Sequence, residues 1–178
     1  MTVYGGAARD LLRNLPAIAE QFEVRFLCLN LRDSQRSLIE SIGVEVLCPE
    51  QHWEAEGGLW NEIVAGQERS AAAAWRAFAP AAEAIEWADA IHLTGGNGSM
   101  EFPALVPADK PMPLHFLESK PGIHDEISHL KPDGSGGWRP RLLHILQRRQ
   151  RARIEASFRG FGNNPNWIVS ANSSFSAS

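Results

Sequence analysis

Residues 24–49, VRFLCLNLRDSQRSLIESIGVEVLCP, decide the fold. Val24-Arg25-Phe26-Leu27-Cys28-Leu29 is apolar on both faces apart from one arginine, the pattern of a strand buried on two sides in a parallel sheet. Ser34 to Ile42 reads as a short helix, and Gly43 as its C-terminal cap. Val44-Glu45-Val46-Leu47-Cys48 is a second strand, stopped by Pro49. A strand, a helix and a strand of this length form a crossover unit, so the two strands are expected to run parallel.

The same alternation continues in both directions. Upstream, Leu11, Leu12, Leu15, Ile18, Ala19 and Phe22 recur at helical spacing, so residues 8–22 form an amphipathic helix that Pro16 should kink or delay. Downstream, residues 50–67 carry Gly57-Gly58 and Gly66 among polar residues and read as a surface excursion. Glu68 to Ala88 is an Ala-rich helix with a kink at Pro80, and Ala90-Ile91-His92-Leu93 is a third strand. Thr94-Gly95-Gly96-Asn97-Gly98 is the turn that follows, with Ser99 as N-cap and Glu101 in the first turn of the next helix. Leu114 to Leu117 is a fourth strand after the stiff Lys110-Pro111-Met112-Pro113, and residues 119–138 are loop-rich. Arg141 to Arg159 is a basic helix, and Trp167-Ile168-Val169-Ser170 a fifth strand. The chain is therefore expected to be one α/β domain over residues 1–178, with a doubly wound, mostly parallel Rossmann-like sheet. Ligands of such sheets bind beyond the carboxyl ends of the strands.

Composition narrows the function classes. The 178 residues are 44% apolar and 21% charged, with a formal net charge of −4, which excludes a disordered acidic tail and a nucleic-acid binder by bulk charge. The longest apolar runs fall short of the roughly 18–20 residues of a membrane span. No signal peptide opens the chain, and a cytoplasmic location is expected. Cys28 and Cys48 both lie in apolar runs and read as buried free thiols, not as a disulfide framework or zinc site.

Several clusters suggest chemistry. Tyr4-Gly5-Gly6-Ala7 precedes the first helix, where backbone N–H groups and the helix dipole favour an anion, although it lacks the Gly-Lys-Ser/Thr of a Walker loop. The same glycines also suit an ordinary flexible start. Gly95, Asn97 and their neighbours lie where a ligand loop belongs, or make a plain tight turn. His115, Glu118, His124, Asp125, Glu126 and His129 crowd together, but His124 and His129 are five apart and do not share a helical face, so no metal site is expected. Glu118 stands just past a buried strand, facing the expected crevice, or is a solvated loop carboxylate. Residues 131–159 hold Lys131 and seven arginines against Asp133 and Glu155, a local +6, which leaves −10 for the remainder. Arg148, Arg149, Arg151 and Arg153 would suit anionic lipid or an acceptor phosphate, or simply form a solvated helix face.

Taken in order, these pieces resemble one family. Gly5-Gly6-Ala7-Ala8-Arg9-Asp10-Leu11-Leu12 with Leu15-Pro16-Ala17-Ile18-Ala19 looks like its glycine loop and first helix, and Glu23 to Leu27 like its second strand. Asp89-Ala90-Ile91-His92 followed by Lys110-Pro111-Met112-Pro113-Leu114 is similar to its central strand and the next strand. Asn166 to Ala177 resembles the strand that closes its first lobe. The family is the N-terminal, acceptor-side domain of family 4 retaining GT-B glycosyltransferases.

The resemblance implies transfer from a nucleotide-sugar donor to a sugar or lipid-linked acceptor, without a cofactor or metal and without nucleic acid. Gly5 and Gly6 would approach the donor diphosphate, and Glu118 and Ser119 fall where the family places a His with an acidic neighbour. Here the nearest His is His115, so the catalytic residues stay unassigned. The implied location is cytoplasmic, with peripheral contact at the inner face of an anionic membrane. Met1 to Tyr4 directly precede the glycines, so the lobe's first, central strand is expected to be missing or a stub, and the donor-binding lobe to be absent. Such a fragment would be inactive alone and aggregation-prone. The reading from another class is a non-catalytic α/β binding module for a sugar or lipid-phosphate ligand.

Overall fold

The computed structural model describes residues 6–55, 66–95, 98–116 and 163–171. Helix α1 spans Gly6–Ala19, strand β1 Arg25–Leu27, helix α2 Asp33–Ser41 and strand β2 Glu45–Leu47. Helix α3 covers Gly66–Ala77, helix α4 Ala79–Trp87, strand β3 Leu93–Thr94, a 3-10 helix Ser99–Leu105, strand β4 Met112–Phe116 and strand β5 Trp167–Ala171. The chain is α/β, and each described strand pairing is parallel. Strands β1 and β2 form one small sheet, and β3, β4 and β5 a second in that order, an arrangement consistent with a Rossmann-like fold.

The crossover read from residues 24–49 is present. Arg25 pairs with Glu45, Phe26 with Val46 and Leu27 with Leu47, so β1 is three residues long where six were expected. Helix α2 ends as expected. Gly43 takes φ +80°, a conformation that a side chain disfavours, and its N–H closes on Glu40 O at 3.0 Å. At the other end the N–H of Arg32 donates to Gln35 Oε1 (3.3 Å), which satisfies one orphan donor.

Strand β1 separates two apolar clusters because successive side chains alternate between its faces. Phe26 and Cys28 join Leu15 of α1 with Leu31, Ile39 and Val44 on one side. Leu27 and Leu29 join Ala71 and Trp75 of α3, Ala81 and Ile85 of α4, and Leu93, Phe102, Met112 and Leu114 on the other. Among the described residues, Ile39, Met112 and Leu114 are the largest fully buried side chains. The first ladder pair is reinforced at its rim by Arg25 Nε to Glu45 Oε2 at 2.9 Å, and the same guanidinium lies 4.1 Å over the Trp87 ring.

Several boundaries differ from the expectation, each for a local reason. Pro16 does not delay α1, which starts at Gly6. It sits near the helix end, where its carbonyl accepts from Glu20 N–H at 3.1 Å, and only its own missing N–H is lost. The Ala-rich stretch is two helices, not one kinked helix. Pro80 stands in the first turn of α4, a place its fixed φ suits, and Phe78 breaks the chain ahead of it. Strand β3 begins at Leu93, since upstream only Ile91 reaches the neighbouring chain, its N–H donating to Pro111 O at 2.9 Å. The residue at the N-cap after β3 is Gly98, in the left-handed region, and Ser99 is already inside a 3-10 helix. Residues 50–55 are not a plain surface excursion. The N–H of Trp53 donates to Leu29 O (3.0 Å), and its ring packs on the larger cluster.

Two motifs behind the family resemblance have structural duties here. Lys110 Nζ donates to the carbonyls of Glu86 (3.4 Å) and Ala88, so it caps the C-terminus of α4, where a cation also meets the negative end of the helix dipole. Trp167 Nε1 donates to Lys110 O (3.1 Å), and Asn164 Nδ2 (2.8 Å) and Asn166 Nδ2 (3.2 Å) both donate to Ala108 O, which fixes β5 against the approach to β4. The loop-rich stretch 119–138 and the basic helix 141–159 lie outside the described residues. Among the described residues, no helix is long and apolar enough to cross a membrane.

Candidate functional site

The carboxyl ends of β3 and β4 carry the most chemistry among the described residues. Their register places Leu93 against Leu114 and Thr94 against His115. Leu93 and Leu114 point into the core, so the alternating neighbours His92, Thr94 and His115 share the opposite face. His92 and His115 are diagonal partners across the ladder, with ring centroids 6.4 Å apart and planes only 12° from parallel. Partial burial, and then the neighbouring His115, hold the His92 pKa below its ordinary value. A neutral imidazole there offers one donor and one acceptor, the complement of a hydroxyl group.

His92 was not singled out from the sequence. A one-residue change of register would have turned it into the core, and the register of a two-residue strand is not legible in advance.

The depressed His92 pKa has a solution consequence. Below its ordinary pKa of about 6.5 the unfolded chain takes up a proton that the folded chain resists, so stability is retained above that value and lost as pH falls through it. The urea midpoint is expected to drop between about pH 7.5 and about pH 5.5, and His92→Gln to flatten that dependence. An equal slope in the variant would show that other groups carry it.

The turn after β3 is held by packing. Gly95 N–H donates to His115 O (3.0 Å), so this expected site residue gives its amide to the ladder rather than to a ligand. Gly98 has φ +78°, its carbonyl accepts from Trp75 Nε1 at 2.6 Å, and a Cβ added there would stand 3.0 Å from the Trp53 ring. Gly98→Ala is therefore expected to lower stability by about 1–3 kcal/mol, read as a reduced denaturant midpoint. An unchanged midpoint would mean that the turn relaxes without cost.

Of the other expected site residues, Gly6 is the first residue of α1. Gly5, Asn97, Glu118, Ser119, Arg148, Arg149, Arg151 and Arg153 lie outside the described residues. Among the described residues no three His, Cys, Asp or Glu side chains gather in a metal-binding group.

Comparison with protein-family models, with curated proteins and with solved structures finds no match. The functional reading therefore rests on the residues of this chain alone.

Proposed function

We propose that the chain is the acceptor-side lobe of a retaining, nucleotide-sugar-dependent glycosyltransferase of the GT-B type. One observation supports this most. The parallel β3–β4 ladder carries His92, Thr94 and His115 on one face at its carboxyl end, where α/β sheets of this kind receive ligands. Imidazole and hydroxyl groups suit the hydroxyls of a sugar acceptor and lack the fixed charge that a nucleotide diphosphate would require. The donor would be held mainly by a second lobe, with Gly5 and Gly6 approaching its diphosphate from this side. Acceptors would be sugars or lipid-linked sugars, and Arg148, Arg149, Arg151 and Arg153 would meet an acceptor phosphate or an anionic membrane at its cytoplasmic face.

A second reading, a binding module without chemistry, draws on a specific observation. Lys110, Trp167 and the Gly95 amide, all within the motifs that carry the resemblance, are engaged in capping and ladder contacts.

One experiment separates the readings. The purified chain is titrated with alkyl glycosides and with nucleotide sugars, following imidazole resonances by NMR, and is then assayed for sugar transfer. The glycosyltransferase lobe is expected to show saturable shifts at His92 and His115 with glycosides and no transfer alone. Restoration of transfer by a separately supplied donor-binding lobe would support the enzyme, whereas glycoside binding without any restored transfer would support the module. Shifts with nucleotide sugars but none with glycosides would overturn both.

A further inference from the structure

The two cysteines are 20 positions apart in sequence but adjacent in the fold. Leu27 and Leu47 are the last bridged pair of the β1–β2 ladder, and Cys28 and Cys48 are the next residues on each strand. The ladder continues to them, since Cys28 N–H donates to Leu47 O at 3.1 Å. Both side chains pack on the same apolar cluster, so both lie on the same face. Neighbouring strands run about 4.8 Å apart, which falls inside the Cα separation that a disulfide spans, about 4.4–6.8 Å. Both cysteines are free thiols of intermediate exposure, not the fully buried thiols expected from their apolar runs.

We propose that Cys28 and Cys48 form a redox-responsive dithiol, which closes to a cross-strand disulfide by exchange with a small disulfide of the glutathione type. Burial, and then the neighbouring Cys48 sulfur, keep the proton on Cys28, and the two thiols hydrogen-bond to each other. Cys28 is thus the donor of the pair, and Cys48 the sulfur that attacks first. The Cys48 thiolate forms a bond to one sulfur of glutathione disulfide, and the S–S bond breaks to release one glutathione thiolate. Cys28 then loses its proton to solvent and attacks Cys48 Sγ, which forms the protein disulfide and releases the second glutathione. The dithiol is oxidised by two electrons, glutathione disulfide is reduced to two thiols, and the two protons end on those thiols.

The position gives the closure a target. Just past Cys28, Leu29 O and Asn30 Nδ2 hold the backbone of Trp53, at 3.0 Å each, and Trp53 packs against the Gly98 turn that follows β3. A bond across Cys28 and Cys48 fixes the strand ends from which that bracket hangs.

The test exposes the full chain to glutathione buffers of increasing oxidised fraction, folded and in urea, followed by iodoacetamide and mass spectrometry. The folded chain is expected to lose two hydrogens (about 2 Da), escape alkylation and yield a peptide linked through Cys28 and Cys48. In urea the same buffers should give mainly mixed disulfides with glutathione, because the fold no longer supplies the proximity. C28S and C48S should each stop at one glutathione adduct, with circular dichroism confirming that they remain folded. If a variant unfolds, the folded-versus-urea comparison of the unchanged chain decides. Alkylation of both thiols at every ratio, closure that is equal in urea, or linkage only between chains would each overturn the proposal.

Discussion

Trp75→Ala is expected to remove most of the stability of the described core. The side chain is 6% exposed, its indole N–H donates to Gly98 O at 2.6 Å, and its ring meets Phe102 edge to face at a centroid distance of 4.8 Å. It therefore joins α3, the turn after β3 and the 3-10 helix through one residue. Truncating a buried Trp costs about 3–5 kcal/mol, and leaving the Gly98 carbonyl unpaired costs about 1–3 kcal/mol more, against about 5–15 kcal/mol for a whole domain. Thermal or urea unfolding should lose its cooperative transition or shift it far down. Trp75→Phe keeps much of the ring and removes only the donor, so it should lose about 1–3 kcal/mol. A midpoint for the alanine variant within error of the parent would refute this account of the core.

The second large effect concerns the edges of the two sheets. In a parallel ladder alternate residues direct their N–H and C=O groups to opposite sides. Cys28 N–H points to β2, so the backbone groups of Arg25 and Leu27 face away from it. Gly95 and Ile91 donate toward β4 and its lead-in, so those of His92 and Thr94 face away likewise. Among the described residues no ladder joins β1 to β3, although Leu27 and Leu93 belong to one apolar cluster. An added apolar strand of five or six residues ahead of Met1 would have both edges to pair with.

Net hydrogen bonds contribute about 0.5–1.5 kcal/mol each, so four to six new ones plus the apolar burial should raise stability by several kcal/mol. The extended form is expected to unfold at a clearly higher temperature and to elute as a monomer, whereas the 178-residue chain self-associates through its open edges. Equal transitions and equal elution volumes would show that these edges need no further strand.

How much of this was legible beforehand varies with the type of signal. Residues 33–49 were readable because helix spacing, a positive-φ glycine and a proline stop act locally. Pro80 was readable as an interruption, though not as the start of a new helix, because that depended on Phe78 breaking the chain first. Trp53 was misplaced on the surface because its partners, Leu29 and the Gly98 turn, are distant in sequence. The same limit hid the stacking of His92 on His115 and the pairing of Cys28 with Cys48, since both depend on strand register. Lys110 shows the opposite error. Its motif was read for what it resembles, whereas its ammonium is held by the end of α4.

That anchored lysine makes the joint between α4 and β4 chemically addressable. The chain has only three lysines, Lys110, Lys120 and Lys131, so acylation by an amine-reactive ester can be followed one site at a time. An amine with two carbonyl partners reacts only when they let go, so the acylation rate at Lys110 measures how often the α4 terminus opens. Each labelling event also neutralises the cap and prevents its return. The lysine is at once a gauge of local unfolding and the point at which a single covalent change would make that unfolding permanent.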